Sequence, residues 1–239
     1  IVFLLGAALA AQEAAAAAGA FLQSNAAQVA SNDLADSTPN ARVAMATADY
    51  PVTAGDVYSL AFAAGTEPVS YTIPVDSTYK IRVANLGVIS CAGLTYLQLK
   101  QQVEALVTKN YIMSGVQFVL VTPGSFKVTV TGEVNRTQER SAWALTRLSS
   151  IVAGTFTDYS SDRDITVASP SGKKHVYDLY KARRDGALDQ DPYVRPGQTV
   201  TVNRILRKVT IGGAVERHGS YELMKGENLR ALVENYGSG

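Results

Sequence analysis

Lys127-Val-Thr-Val-Thr-Gly-Glu-Val-Asn-Arg136 returns 81 residues later as Lys208-Val-Thr-Ile-Gly-Gly-Ala-Val-Glu-Arg217, with six of ten positions identical. Apolar and polar residues alternate up to a glycine, the period-2 pattern of a strand that runs into a turn. The correspondence continues downstream, where Leu148, Ile151 and Val152 map onto Leu229, Leu232 and Val233. Their i, i+3, i+4 spacing is one face of a helix. Each copy therefore reads as a strand, a short hairpin arm and a packing helix. An offset this long marks a duplicated domain rather than a solenoid period.

Beyond its helix the first copy completes itself. Ile165 and Val167 alternate, Pro170-Ser171-Gly172-Lys173 turns the chain, and Val176 to Tyr180 returns as a strand. Pro196-Gly197-Gln198 then leads into a last strand, Thr199–Val202. The second copy reaches Gly239 just after its helix, with its sheet unfinished. A half-built sheet cannot bury a core, so the expectation is a protein longer than these 239 residues.

Upstream of the repeat, aromatic and β-branched residues begin at Tyr50. Gly55-Asp56 turns into an alternating strand, Val57 to Phe62, and Val69, Tyr71, Ile73 and Val75 alternate likewise. Tyr79, Ile81 and Val83 then oppose Lys80 and Arg82 across a third strand, before the short run Val88-Ile89. Thr95 with Gln98 forms a capping box ahead of Leu99, Val103, Leu106 and Val107, one apolar helical stripe. Val116, Phe118 and Leu120 close the module as a strand. This is a small sheet covered by one helix, an α+β layer.

The N-terminal Ile1 to Ala10 is an apolar run ending in Ala8-Leu9-Ala10. It is shorter than the roughly 20 residues of a spanning helix. It matches the hydrophobic core of a secretory signal, with cleavage before Ala11; a buried core helix is the other reading. Between it and Tyr50, Phe21, Leu22, Val29, Leu34, Val43 and Met45 are too scattered to build a core. The expected organisation is a partial signal peptide at 1–10, an alanine-rich linker at 11–47, a first module at 48–123, the first repeat copy at 124–206 and the start of a second at 207–239.

Composition narrows the function classes. Hydrophobic residues make up 46% and charged ones 18%, which excludes a polytopic membrane protein and a charge-rich disordered one. Lys and Arg number 22 against 21 Asp and Glu, so nothing draws the chain to nucleic acid. One cysteine and two histidines exclude a disulfide framework and a Cys/His zinc site.

The module start Tyr50-x-x-x-x-Gly55-Asp56-Val57, the strand pair with Gly87 and the Gly93-Leu94-Thr95 helix start resemble the polysaccharide-export domain of bacterial periplasmic and outer-membrane export proteins. The two Val-x-x-x-Gly-x-Val units, Val128 to Val134 and Val209 to Val215, look like the SLBB (soluble-ligand-binding β-grasp) domains that follow it in that family. Gln198 departs from the family's Pro-Gly-Asp turn. Thr137, Gln138 and Arg140 stand where Pro-Gly and then Tyr are usual, and the lipobox cysteine of many members is absent. The resemblance implies an α+β protein with a small mixed-sheet export-type module followed by β-grasp (SLBB-like) modules. It implies a structural subunit for export of capsular or exopolysaccharide, assembled as a homo-oligomeric ring in the periplasm or outer membrane. An inner-membrane polysaccharide co-polymerase is a candidate partner. The alternative is a periplasmic carbohydrate- or cell-wall-binding scaffold that forms no channel.

Residues with chemistry to offer give no catalytic set, cofactor site or metal site, and an enzyme is not expected. Cys91 reads as a buried thiol serving as a small apolar side chain. Neither His175 nor His218 has a spacing that activates it. Ser169-Pro-Ser-Gly172-Lys173 has Val167 where a phosphate loop needs glycine, and reads as a hairpin turn. Lys173, Lys174, Arg183 and Arg184 offer charge to an acidic polysaccharide, though a solvated face explains them as well. Asp56 reads as a turn former rather than a ligand contact. The twelve tyrosines offer faces for sugar C–H groups, but most fall in register with core positions. No paired carboxylates suit glycosidic cleavage.

Overall fold

The structure, a computed structural model, describes residues 37–65, 67–112 and 115–234. The signal segment at 1–10 and most of the 11–47 linker lie outside the described residues. The last residues of that linker are not a linker. Thr38 accepts the N–H of Ala41 and Pro39 takes the first helical position, so a helix begins there, α1 (Pro39–Ala46). Ala41 and Ala44 are fully buried as α1 packs on a strand, and the Thr38 N–H donates to the Val121 carbonyl at 3.0 Å. Alanine lets a helix lie close to a sheet without any large apolar residue, so a search for bulky residues passes over it.

The chain divides into two compact units between Ser125 and Phe126. In the first, β1 (Val57–Ala64) has Tyr58, Leu60 and Phe62 buried on one face and Ser59, Ala61 and Ala63 on the other. A strand buried on both faces belongs in the middle of a sheet. It sits between β2 (Glu67–Pro74) and, later in sequence, the strand that closes the unit, all antiparallel. A separate hairpin pairs β3 (Lys80–Val83) with β4 (Gly87–Ser90). Helix α2 (Tyr96–Asn110) starts on the capping box read from the sequence, with Thr95 and Gln98 exchanging both bonds. It buries Tyr96, Leu99, Val103 and Val107. β5 (Gln117–Thr122) supplies Phe118, whose ring stacks on Tyr58 at 4.7 Å.

The second unit holds a five-stranded mixed sheet. β6 (Ser125–Gly132) and β10 (Thr199–Arg204) run parallel at its centre. β7 (Gln138–Trp143) flanks β6, while β8 (Ser160–Ala168) and β9 (Lys174–Tyr177) follow outward from β10, giving the order β7-β6-β10-β8-β9. Two short helices, α3 (Leu148–Val152) and α4 (Leu179–Asp185), add Leu148, Ile151, Val152 and Leu179 to its core. The return strand ends at Tyr177, not Tyr180, because the Asp178 carboxylate accepts the Lys181 N–H and starts α4. Gln198 closes the Pro196-Gly197 turn by accepting the Arg195 N–H at 2.7 Å.

The start of the second copy lies in this same unit. β11 (Lys208–Ile211) pairs with β12 (Gly219–Glu222), and α5 (Leu229–Leu232) places Leu232 against Ile211 and Leu223. The local backbone repeats closely. Gly132 has φ +94° and Gly213 φ +93°, and in each copy the N–H two residues on bonds back to the glycine carbonyl at 2.9 Å. The helix does not repeat as closely: Leu148 is buried, whereas Leu229 is exposed. The fold is α+β.

Candidate functional site

Among the described residues, buried charge gathers around Asp56 in the first unit and around Arg163 and Asp178 in the second. In the first, Asp56 is fully buried and its carboxylate takes four donors. Oδ1 accepts from the Tyr50 hydroxyl at 2.9 Å and the Gly124 N–H at 2.6 Å. Oδ2 accepts from the Thr53 N–H at 2.9 Å and the Tyr58 hydroxyl at 3.0 Å. Burial pushes its pKa up and the four bonds pull back, with the net direction upward. Burial, with the Asp56 charge, also raises the Tyr50 and Tyr58 hydroxyls. Asp56 is thus more than a turn former. It fastens the start of the unit to its end.

In the second unit the alternation of β8 turns Ser161, Arg163, Ile165 and Val167 to the buried side. Arg163, 3% exposed, therefore enters an apolar face and must be paired there. Its Nη1 and Nη2 donate to the two Glu227 carboxylate oxygens at 2.9 and 2.6 Å, and Nε donates to Asp178 at 3.1 Å. Nη1 also reaches the Glu222 carbonyl at 3.0 Å, while the Ser161 hydroxyl donates to the Glu222 carboxylate at 2.7 Å. Burial pulls Glu227 upward, but Arg163 and the Met224 N–H outweigh it and hold the carboxyl below its usual range. Burial leaves Glu222 raised, with the Ser161 bond opposing. This planar, bidentate pairing is the geometry arginine is built for.

Beside this knot lies a cleft of about 240 Å³. Asp162, Tyr180 and Arg183 line it from the first copy, and Lys208, Tyr221 and Glu222 from the start of the second. Arg183 is held by Asp162 and its guanidinium lies 5.8 Å from the Tyr180 ring centre. Enclosing a drug-sized molecule takes roughly 300–1,000 Å³, so there is room for about one sugar ring. Two aromatic side chains with charges of both signs can take the apolar face and the hydroxyls of such a ring.

Of the residues picked out in the sequence, only Arg183 and two of the tyrosines reach this cleft. Lys173, Lys174, Arg184 and His175 are exposed and do not line it, and His218 is exposed and bonded to the Gly213 carbonyl. Cys91 is buried, its thiol donating to the Tyr79 carbonyl and pushed up to about 11 by burial. Ser169 to Lys173 is the β8–β9 hairpin turn. Arg163 was not among the residues that stood out in the sequence. Its position two residues before Ile165, in the same strand register as Ile165 and Val167, was the available signal.

No family model matches the chain, and no curated protein matches it in sequence. Among the described residues no group of three or more His, Cys, Asp or Glu is placed to hold a metal ion, and no helix is long and apolar enough to cross a membrane.

Proposed function

We propose that this chain is a structural subunit of a bacterial capsule or exopolysaccharide export apparatus, acting without covalent chemistry as part of a homo-oligomeric ring in the periplasm or outer membrane. One observation carries the reading: the order in which the parts occur. A unit opening on Tyr50-x-x-x-x-Gly55-Asp56 is followed by a mixed sheet whose first and last strands pair in parallel at the centre, each flanked by hairpin strands. That strand order supports reading the sheet as a β-grasp, and its opening strand and glycine turn then recur at β11. The near-neutral net charge permits close packing of identical subunits.

Deleting the gene in its host tests the reading. Polymer should still be made but held inside the cell envelope, and the full-length protein in mild detergent should sediment as a closed oligomer. Unchanged surface polymer in the deletion strain would refute the proposal. The second reading, a carbohydrate-binding scaffold without a channel, draws on the Tyr180–Tyr221 cleft. A strictly monomeric full-length protein that binds saccharide would favour it.

A further inference from the structure

Among the described residues only two non-glycine residues have positive φ, Tyr79 at +57° and Ala84 at +47°. They stand immediately on either side of β3 (Lys80–Val83). Side chains with a Cβ are disfavoured there by about 1–2 kcal/mol each, and such strain gathers where a structure presents a ligand-binding surface. What these two residues bracket is a strand whose outer face carries Lys80 and Arg82, both exposed, while Ile81 and Val83 are buried.

The outer face forms one wall of an open cleft of about 690 Å³. Tyr71, Thr72 and Pro74 of β2 line it, with Asn85 of the β3–β4 turn and Asp76. Neither the Lys80 ammonium nor the Arg82 guanidinium makes an ion pair or a side-chain hydrogen bond among the described residues. The cleft's one carboxylate, Asp76, is held through one of its two oxygens, and the Thr78 bonds together with the nearby Lys80 lower its pKa. Its Oδ1 accepts the Thr78 N–H, the Thr78 hydroxyl and the Lys80 N–H at 2.7, 2.8 and 3.0 Å, which fixes the backbone from which Lys80 projects. Tyr71 is 40% exposed and its ring stacks on Phe62, so it is a held platform rather than a loose side chain.

The combination has a chemical complement. A seated aromatic ring takes the apolar face of a pyranose, Thr72 and Asn85 offer hydroxyl and amide partners, and a free guanidinium beside an ammonium takes a carboxylate. We propose that this cleft binds saccharides bearing a ring carboxylate, uronic-acid units of an acidic polymer. The choice of a saccharide over an acidic peptide rests on the export reading and on the lining, which sets the Tyr71 ring and Pro74 beside Thr72, Asn85 and the two cations, an apolar face next to polar partners.

The experiment is titration of the full chain, followed by nuclear magnetic resonance, with a hexasaccharide in which glucuronate alternates with a neutral sugar. The control ligand is the same hexasaccharide with its carboxyl groups reduced to alcohols. The acidic form should bind with shifts centred on Tyr71, Lys80, Arg82 and Asn85, and the reduced form about tenfold more weakly. Binding should weaken with added salt. Arg82→Gln, at an exposed position, should weaken binding by about five- to tenfold with thermal stability unchanged. Equal binding of the reduced hexasaccharide, an unaffected Arg82→Gln variant, or shifts confined to the Tyr180–Tyr221 cleft would overturn the proposal. So would a polyglutamate peptide that binds as tightly as the sugar. The titration needs no export, so failure of the gene-deletion test would remove the export reading while leaving this site to stand or fall by itself.

Discussion

Replacing Arg163 with methionine keeps a long apolar stem in the β8 core face and removes the charge that ties the second copy to the first. Glu227 and Asp178, with side chains 24% and 12% exposed, then share a largely buried site without a counter-ion. Removing one partner from a buried pair costs about 3–5 kcal/mol, and the Glu222 carbonyl loses its donor as well. Against that loss stands little. The cluster beneath β11 and β12 has three buried residues, Ile211, Leu223 and Leu232. Each contributes about 1.5–3 kcal/mol at full burial, before the entropy of ordering the segment is counted. A lone two-stranded hairpin is marginal in water. The expected result is local: residues 208–232 detach while the five-stranded sheet stays folded. Hydrogen exchange read by mass spectrometry would show β11 and β12 losing protection while β6 and β10 keep theirs. Simultaneous loss in both regions, or no change in either, would refute the reasoning.

Acid should act on the same contact. Glu227 is held below its ordinary value of 4.5, so its contribution is complete above that pH and is lost as pH falls through the folded value. Glu222 is raised by burial and works the other way, its contribution growing as pH falls toward 4.5. Exchange protection of β11 and β12 should therefore peak near pH 4.5 and collapse in stronger acid. The paired glycines should separate backbone strain from collision. Gly132→Ala would place a Cβ 2.2 Å from the Val202 carbonyl oxygen and should cost about 3 kcal/mol or more, whereas Gly213→Ala meets nothing within 4 Å and should cost about 1–2 in chemical denaturation. The Cys91 thiol, buried and pushed up to about 11, should resist a thiol reagent at pH 8 and react at once when the chain is unfolded.

What the sequence disclosed followed from local chemistry. Thr95 and Gln98 lie three residues apart and make their bonds within one helical turn, so the start of α2 was readable. The copy at Lys208 was readable because the same backbone turn demands the same glycine. What stayed hidden depends on partners far along the chain. Asp56 meets Gly124, 68 positions away, and Arg163 meets Glu227, 64 away, and neither spacing leaves a pattern. An arginine amid Ser-Ser-Asp-Arg-Asp looks like surface until its register with Ile165 is followed. Helix α1 escaped because its buried face is alanine; the strand carrying Lys80 and Arg82 was readable from its alternation, but its strained flanks are visible only as backbone angles.

The Asp56 carboxylate also has a mechanical meaning. Tyr50, where the chain enters the first sheet, and Gly124, where it leaves, both bond to the same oxygen, Oδ1. Tension applied between Tyr50 and Gly124 would load that oxygen before it sheared β1 from β5 or β2. The sheet would be shielded until the clasp yielded. A chain pulled at Tyr50 and Gly124 would lengthen abruptly when those bonds broke, while a gentler pull would leave Tyr71 and the cationic cleft undistorted.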